Sequence, residues 1–111
     1  MIFIFSEDRT LRVVKDITIV QNICEGIDVS NSVYQFFDED GNYLEPEFTK
    51  PNKEGKIIGP TGWVVSGQYL LKPSTKPGAP SILKLLDSVV ELENNVYFKS
   101  IEEIKKFLTR R

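Results

Sequence analysis

A chain of 111 residues is long enough for one domain with its own core and too short for two ordinary ones, so residues 1–111 are expected to form a single domain. With 41% hydrophobic residues, 27% charged residues and a net charge of −2, the composition is that of a globular protein rather than a disordered one. There is no histidine and only one cysteine, Cys24, which excludes Ser–His and Cys–His catalysis, an internal disulfide and zinc or iron–sulfur sites built on histidine or clustered cysteines.

Ile2 to Phe5 is a short β-branched and aromatic run and predicts a buried strand. Ser6-Glu7-Asp8 then supplies the residue types that open a helix. The stretch from Arg9 to Ile23 carries opposing signals. Its β-branched residues favour a strand, whereas Val13, Val14, Ile17, Val20 and Cys24 recur at helical spacing. Helix is the expectation, ended by Gly26 just beyond its last turn. Val33–Phe37 and the residues from Tyr43 onward flank Asp38-Glu39-Asp40-Gly41-Asn42, which predicts a β-hairpin turning at Gly41.

Pro46, Pro51, Asn52, Gly55, Gly59, Pro60 and Gly62 then suggest a long loop, a feature that in small domains often carries function. Trp63–Leu71 reads as one or two strands broken at Ser66-Gly67, and Lys72–Pro80 as a second loop. Ile82, Leu85, Leu86, Val89 and Val90 have the spacing of an amphipathic helix over Ile82–Leu92. Ser100 and Glu103 form a capping box opening a last helix, with Ile101, Ile104, Phe107 and Leu108 on one side and Arg110-Arg111 at its end. The expected architecture is α+β: a mainly antiparallel sheet with an N-terminal helix and two C-terminal helices packed on it. No segment has the length of a membrane span or the pattern of a signal peptide, so a cytoplasmic location is expected.

Charge is unevenly distributed along the chain. Residues 1–47 hold ten carboxylates against three bases, and seven acids from Glu25 to Glu47 are uninterrupted by any base. Residues 48–111 hold six acids against eleven Lys and Arg. Such an acidic block is either a solvated face or a surface that meets a basic partner.

The chemistry-bearing alternatives fail on spacing. Asp38-Glu39-Asp40-Gly41 puts glycine fourth and Thr49 twelfth, which is not a calcium loop. Glu45 and Glu47 share a strand face, but no cluster of aromatics forms a sugar cleft beside them. Gly59-Pro60-Thr61-Gly62 lacks the spacing of a phosphate loop. Lysines near Trp63 and Tyr69 hint at single-stranded nucleic acid, against which the acidic first half counts. No catalytic residue, metal or cofactor, and no direct nucleic-acid partner, is therefore expected.

Cys24-Glu25-Gly26-Ile27-Asp28-Val29, Tyr34-Gln35-Phe36-Phe37-Asp38, Gly41-Asn42-Tyr43-Leu44 and Ser100-Ile101-Glu102-Glu103-Ile104 together resemble small cytoplasmic immunity proteins of bacterial polymorphic toxin and contact-dependent growth inhibition systems. The resemblance covers about residues 10–48 and the last dozen. It implies a non-enzymatic inhibitor that binds the toxin domain of a cognate effector, often a nuclease with a basic cleft. On that basis Asp38, Glu39, Asp40, Glu45 and Glu47 are the expected partner-binding acids, and Tyr43, Trp63 and Tyr69 the expected aromatic anchors. A cytosolic regulatory or adaptor domain with no toxin partner is the alternative.

Overall fold

In the computed structural model Ile2–Ser6 forms strand β1, near the centre of the sheet, and it is apolar from Ile2 to Phe5 because both of its faces are covered. Phe3 and Phe5 point to one side of the sheet, Ile2 and Ile4 to the other. The structure describes residues 1–56, 62–65 and 67–110, with the backbone alone for 53–56 and 62–65.

The next segment departs from the expected helix. Thr10–Val14 is strand β2, antiparallel to β1 with Phe3 opposite Val13 and Phe5 opposite Leu11. Ser6–Arg9 makes the turn: the Arg9 N–H donates to the Ser6 carbonyl at 2.9 Å, Asp8 Oδ1 accepts from the Thr10 N–H at 3.0 Å, and Arg9 takes φ +66°. The helix begins only at Ile17–Ile23 (α1), where the Asp16 side chain accepts from the Ile19 N–H. Val13 and Val14 thus belong to a strand while Ile17 and Val20 belong to a helix, and the apparent helical period spans the junction. Gly26 does not terminate α1; it opens a second short helix, α2 (Gly26–Ser30).

The hairpin forms as expected, from β3 (Tyr34–Asp38) and β4 (Tyr43–Lys50), with Gly41 at φ +84°. Their pairing stops after Phe36–Leu44. The next bonded pair would join Tyr34 to Pro46, which has no N–H to donate. Pro46 instead lies within β4, and the expected long loop contains strands β5 (Lys53–Lys56) and β6 (Gly62–Val65), paired with each other. Residues 57–61 of that loop, Ser66 and Arg111 lie outside the described residues. Strand β7 (Gln68–Pro73) follows the break at Ser66-Gly67 and pairs with β4, so the second loop starts at Ser74 rather than Lys72.

The long C-terminal helix expected over Ile82–Leu92 is shorter. Only Ile82–Leu86 is helical (α3); Glu91–Leu92 is strand β8, parallel to β2 through Thr10 and Leu11. The last helix, α4 (Ile101–Leu108), has the expected cap, since Ser100 Oγ accepts from the Glu103 N–H at 3.2 Å. The Glu103 carboxylate reaches back to the Lys99 N–H at 3.1 Å, one residue earlier than the usual box. Arg110 donates to the Phe107 carbonyl and lies over the Phe107 ring, 3.6 Å from its centre.

Among the described residues six strands form one sheet in the order β7-β4-β3-β1-β2-β8, antiparallel except for β2–β8. Helices α3 and α4 cover one face through Ile82, Leu86 and Ile104. The segments of α1 and α2 cover the other through Val20, Cys24 and Val29. The fold is α+β with a mainly antiparallel sheet, as expected, and helices lie on both of its faces.

Candidate protein-binding surface

The hairpin tip is held by its first acid. Asp38 Oδ1 accepts from the backbone N–H groups of Asp40 and Asn42, both at 2.9 Å, and Oδ2 accepts from the Asn42 side-chain amide at 3.1 Å. Its carboxylate is occupied in shaping the turn. Glu39 and Asp40 are instead exposed. Glu39 lies 3.8 Å from the amino group of Met1, and Asp40 makes no ion pair among the described residues.

Tyr43 stands at the foot of the hairpin, half-buried, with its ring 5.4 Å from that of Phe37. Along β4 on the same side come Glu45 and Glu47, and the sheet register sets them across from Lys72 and Leu70. Glu47 pairs with Lys72 at 2.6 Å and Glu45 with Lys76 at 3.5 Å. The basic second half of the sequence therefore folds back onto the acidic first half here. The charge asymmetry of the sequence is partly cancelled in space, while Asp40 at the tip keeps a carboxylate without an ion pair among the described residues.

Tyr69 is not available as a surface anchor. It is 2% exposed, and its hydroxyl donates to the Cys24 carbonyl at 2.6 Å while its ring packs 5.6 Å from Phe48. Strand alternation places Tyr69 and Leu71 on the inward face of β7, toward the core beneath α1. Trp63 belongs to β6, opposite Gly55, and its side chain lies outside the described residues. The structure thus brings Asp38, Glu39, Asp40, Tyr43, Glu45 and Glu47 onto one hairpin and removes Tyr69 to the interior.

Sequence reasoning missed a second open surface, at the β2 edge of the sheet. There Ile19 and Ile23 of α1 face Val96 and Tyr97 across a groove of about 470 Å³, and all four are exposed. Val96-Tyr97 following Asn94-Asn95 is the one signal that could have marked it, as apolar residues placed directly after a turn.

Cys24 is fully buried, and burial pushes its thiol up from 9.0 to about 11. Burial likewise raises the Tyr69 phenol. Both groups stay neutral in the folded state at pH values where the unfolded chain begins to ionise, so stability is complete below pH 9 and falls as the pH rises toward 11. In urea titrations from pH 8 to 10.5 stability should fall with a slope that reaches about 1 kcal/mol per pH unit per group, and Cys24→Ala should flatten the first part of it. A stability unchanged to pH 10.5 would contradict the burial of these two groups.

Among the described residues no three Asp, Glu or Cys side chains gather as a metal-ligand set, and no helix is long and apolar enough to cross a membrane. No protein-family model, curated protein or solved structure matches the chain.

Proposed function

We propose that this chain is an immunity protein that binds and neutralises a cognate toxin domain, a basic nuclease, through the acidic β3–β4 hairpin. The observation that carries the reading is the tip itself: three hydrogen bonds to Asp38 fix the turn, and the Glu39 and Asp40 carboxylates project from it into solvent. A preorganised pair of acids loses little conformational entropy on meeting a partner. A nuclease cleft presents lysines and arginines placed to hold phosphate, and carboxylates can occupy those positions. Inhibition then needs no catalytic group on this chain, only occupation of the cleft or of the ground beside it. The resemblance of residues 10–48 and the C-terminal segment to cytoplasmic immunity proteins supports the same reading.

Glu39→Lys combined with Asp40→Lys should slow association with the toxin domain roughly tenfold and flatten its salt dependence, with the fold intact because neither side chain holds the turn. Stopped-flow association rates at two ionic strengths read the effect. Asp38 is unsuitable for this purpose, since its reversal would break the turn and confound charge with structure. An association rate unchanged by the double reversal would remove the hairpin from the interface.

A further inference from the structure

The β2 edge of the sheet is unfinished. In the parallel β2–β8 ladder the Glu93 N–H donates to the Leu11 carbonyl at 2.9 Å, and the Val90 N–H donates to the Arg9 carbonyl at 3.0 Å. Odd-numbered residues of β2 therefore turn their backbone groups toward that edge. Had the ladder continued, Val13 would donate to the Glu93 carbonyl and accept from the Asn95 N–H. Asn95 prevents this. Its side-chain amide donates to the Glu93 carbonyl at 3.0 Å, and its Oδ1 accepts from the Tyr97 and Phe98 N–H groups at 2.9 and 2.8 Å. The chain swings off the sheet, and no hydrogen bond joins it to the backbone groups of Val13, which the alternation along β2 turns toward that edge.

The space left by that departure is the groove between α1 and the 94–97 turn. Its two walls are apolar, Ile19 and Ile23 on one and Val96, 92% exposed, with Tyr97 on the other. Its charges are Arg12, Glu93 and Lys15. Arg12 and Glu93 neutralise each other at 2.6 Å, whereas exposed Lys15 makes no ion pair among the described residues. The groove thus offers one unspent cation, backbone donors and acceptors along an edge, and apolar walls above and below the plane of the sheet.

We propose that this edge receives a short extended segment of a partner polypeptide, which continues the line of β8 alongside Val13. Strand geometry then dictates the segment's chemistry. Successive side chains alternate between the α1 wall and the Val96–Tyr97 wall, so both sets are apolar, and a carboxylate on the segment meets Lys15. The site lies on a different strand from the acidic hairpin and does not depend on the toxin-binding reading.

The test uses the full chain and a displayed library of random octapeptides, followed by synthetic copies of the peptides recovered. The expected consensus alternates apolar residues and carries one Asp or Glu. The Val13 amide should exchange readily in the free protein, and binding should slow that exchange. Val96→Asp should weaken binding roughly tenfold without lowering the melting temperature, because its side chain is 92% exposed. Lys15→Glu should select Lys or Arg in place of the acid. Failure to enrich any peptide would overturn the proposal, and so would enriched peptides that leave Val13 exchange unchanged or a Val13 amide already protected in the free chain. A concentration-dependent dimer abolished by Val96→Asp would assign the edge to a second copy of this chain instead.

Discussion

Phe37→Ala should destabilise the protein by about 3–5 kcal/mol, a large part of the roughly 5–15 kcal/mol that holds a domain folded. Phe37 is fully buried at the centre of the aromatic set on the α3–α4 face of the sheet. Its ring meets Phe5 edge-on at 5.5 Å and Tyr43 at 5.4 Å, so truncation removes both aromatic contacts and leaves a cavity that β-sheet backbone on either side cannot close. Because Phe37 pairs with Phe3 of β1 on one side and Tyr43 of β4 on the other, the loss loosens the seating of the acidic hairpin as well. Chemical denaturation should show a midpoint well below that of the parent with an unchanged slope. A change below about 1 kcal/mol would mean that Phe37 does not occupy the packed centre described here.

Gly67→Ala should be nearly as damaging, for a different reason. Gly67 does not adopt a left-handed backbone; it is needed for room, since an added Cβ would overlap the backbone of Lys50, Pro51 and Asn52. The close approach serves a clip. The Asn52 side chain accepts from the Gly67 N–H at 2.7 Å and donates to the Gly26 carbonyl at 3.2 Å and to Ser30 Oγ at 3.0 Å, tying α2 to the start of β7. Overpacking against backbone falls at the upper end of the roughly 1–3 kcal/mol found for such substitutions, because a carbonyl cannot rotate aside as a side chain can. Thermal melts of Gly67→Ala beside Gly78→Ala give the contrast. Gly78 has open space around it, so its substitution strains only its backbone, at φ +78°. Equal melting temperatures for Gly67→Ala and the parent would contradict the close approach.

The elements legible in the sequence are those specified locally. Ile2–Phe5 is apolar at every position because β1 is covered on both faces, the β3–β4 hairpin is set by its Asp-Gly-Asn turn, and Ser100 with Glu103 marks the start of α4. What escaped depends on partners far along the chain. Val13, Val14 and Ile17 keep a helical spacing by coincidence, so the pattern predicts a helix through Thr10–Val14, whereas pairing with β1 decides the matter. Glu91–Leu92 becomes a strand only because Thr10 and Leu11 lie beside it.

The candidate surface shows the same division. The acids of the hairpin could be listed from the sequence, but not that Asp38 is consumed by the turn or that Glu45 and Glu47 meet Lys76 and Lys72, 31 and 25 positions further along. Residue type alone makes Tyr69 an anchor; its place with Leu71 on the inward face of β7 makes it part of the interior. The β2 edge left only the faint signal of Val96-Tyr97 after Asn94-Asn95, because it arises from an Asn95 side chain taking over a backbone bond.

The central claim, that this chain neutralises a toxin domain, is tested most directly by recovering the tagged chain from its native cells and assaying what binds it. The expected result is a stoichiometric complex with a domain that arrests growth when expressed alone, becomes harmless when this chain is co-expressed, and degrades nucleic acid once freed from the complex. A partner that is harmless when expressed without this chain, or an arrest that this chain does not relieve, would contradict it.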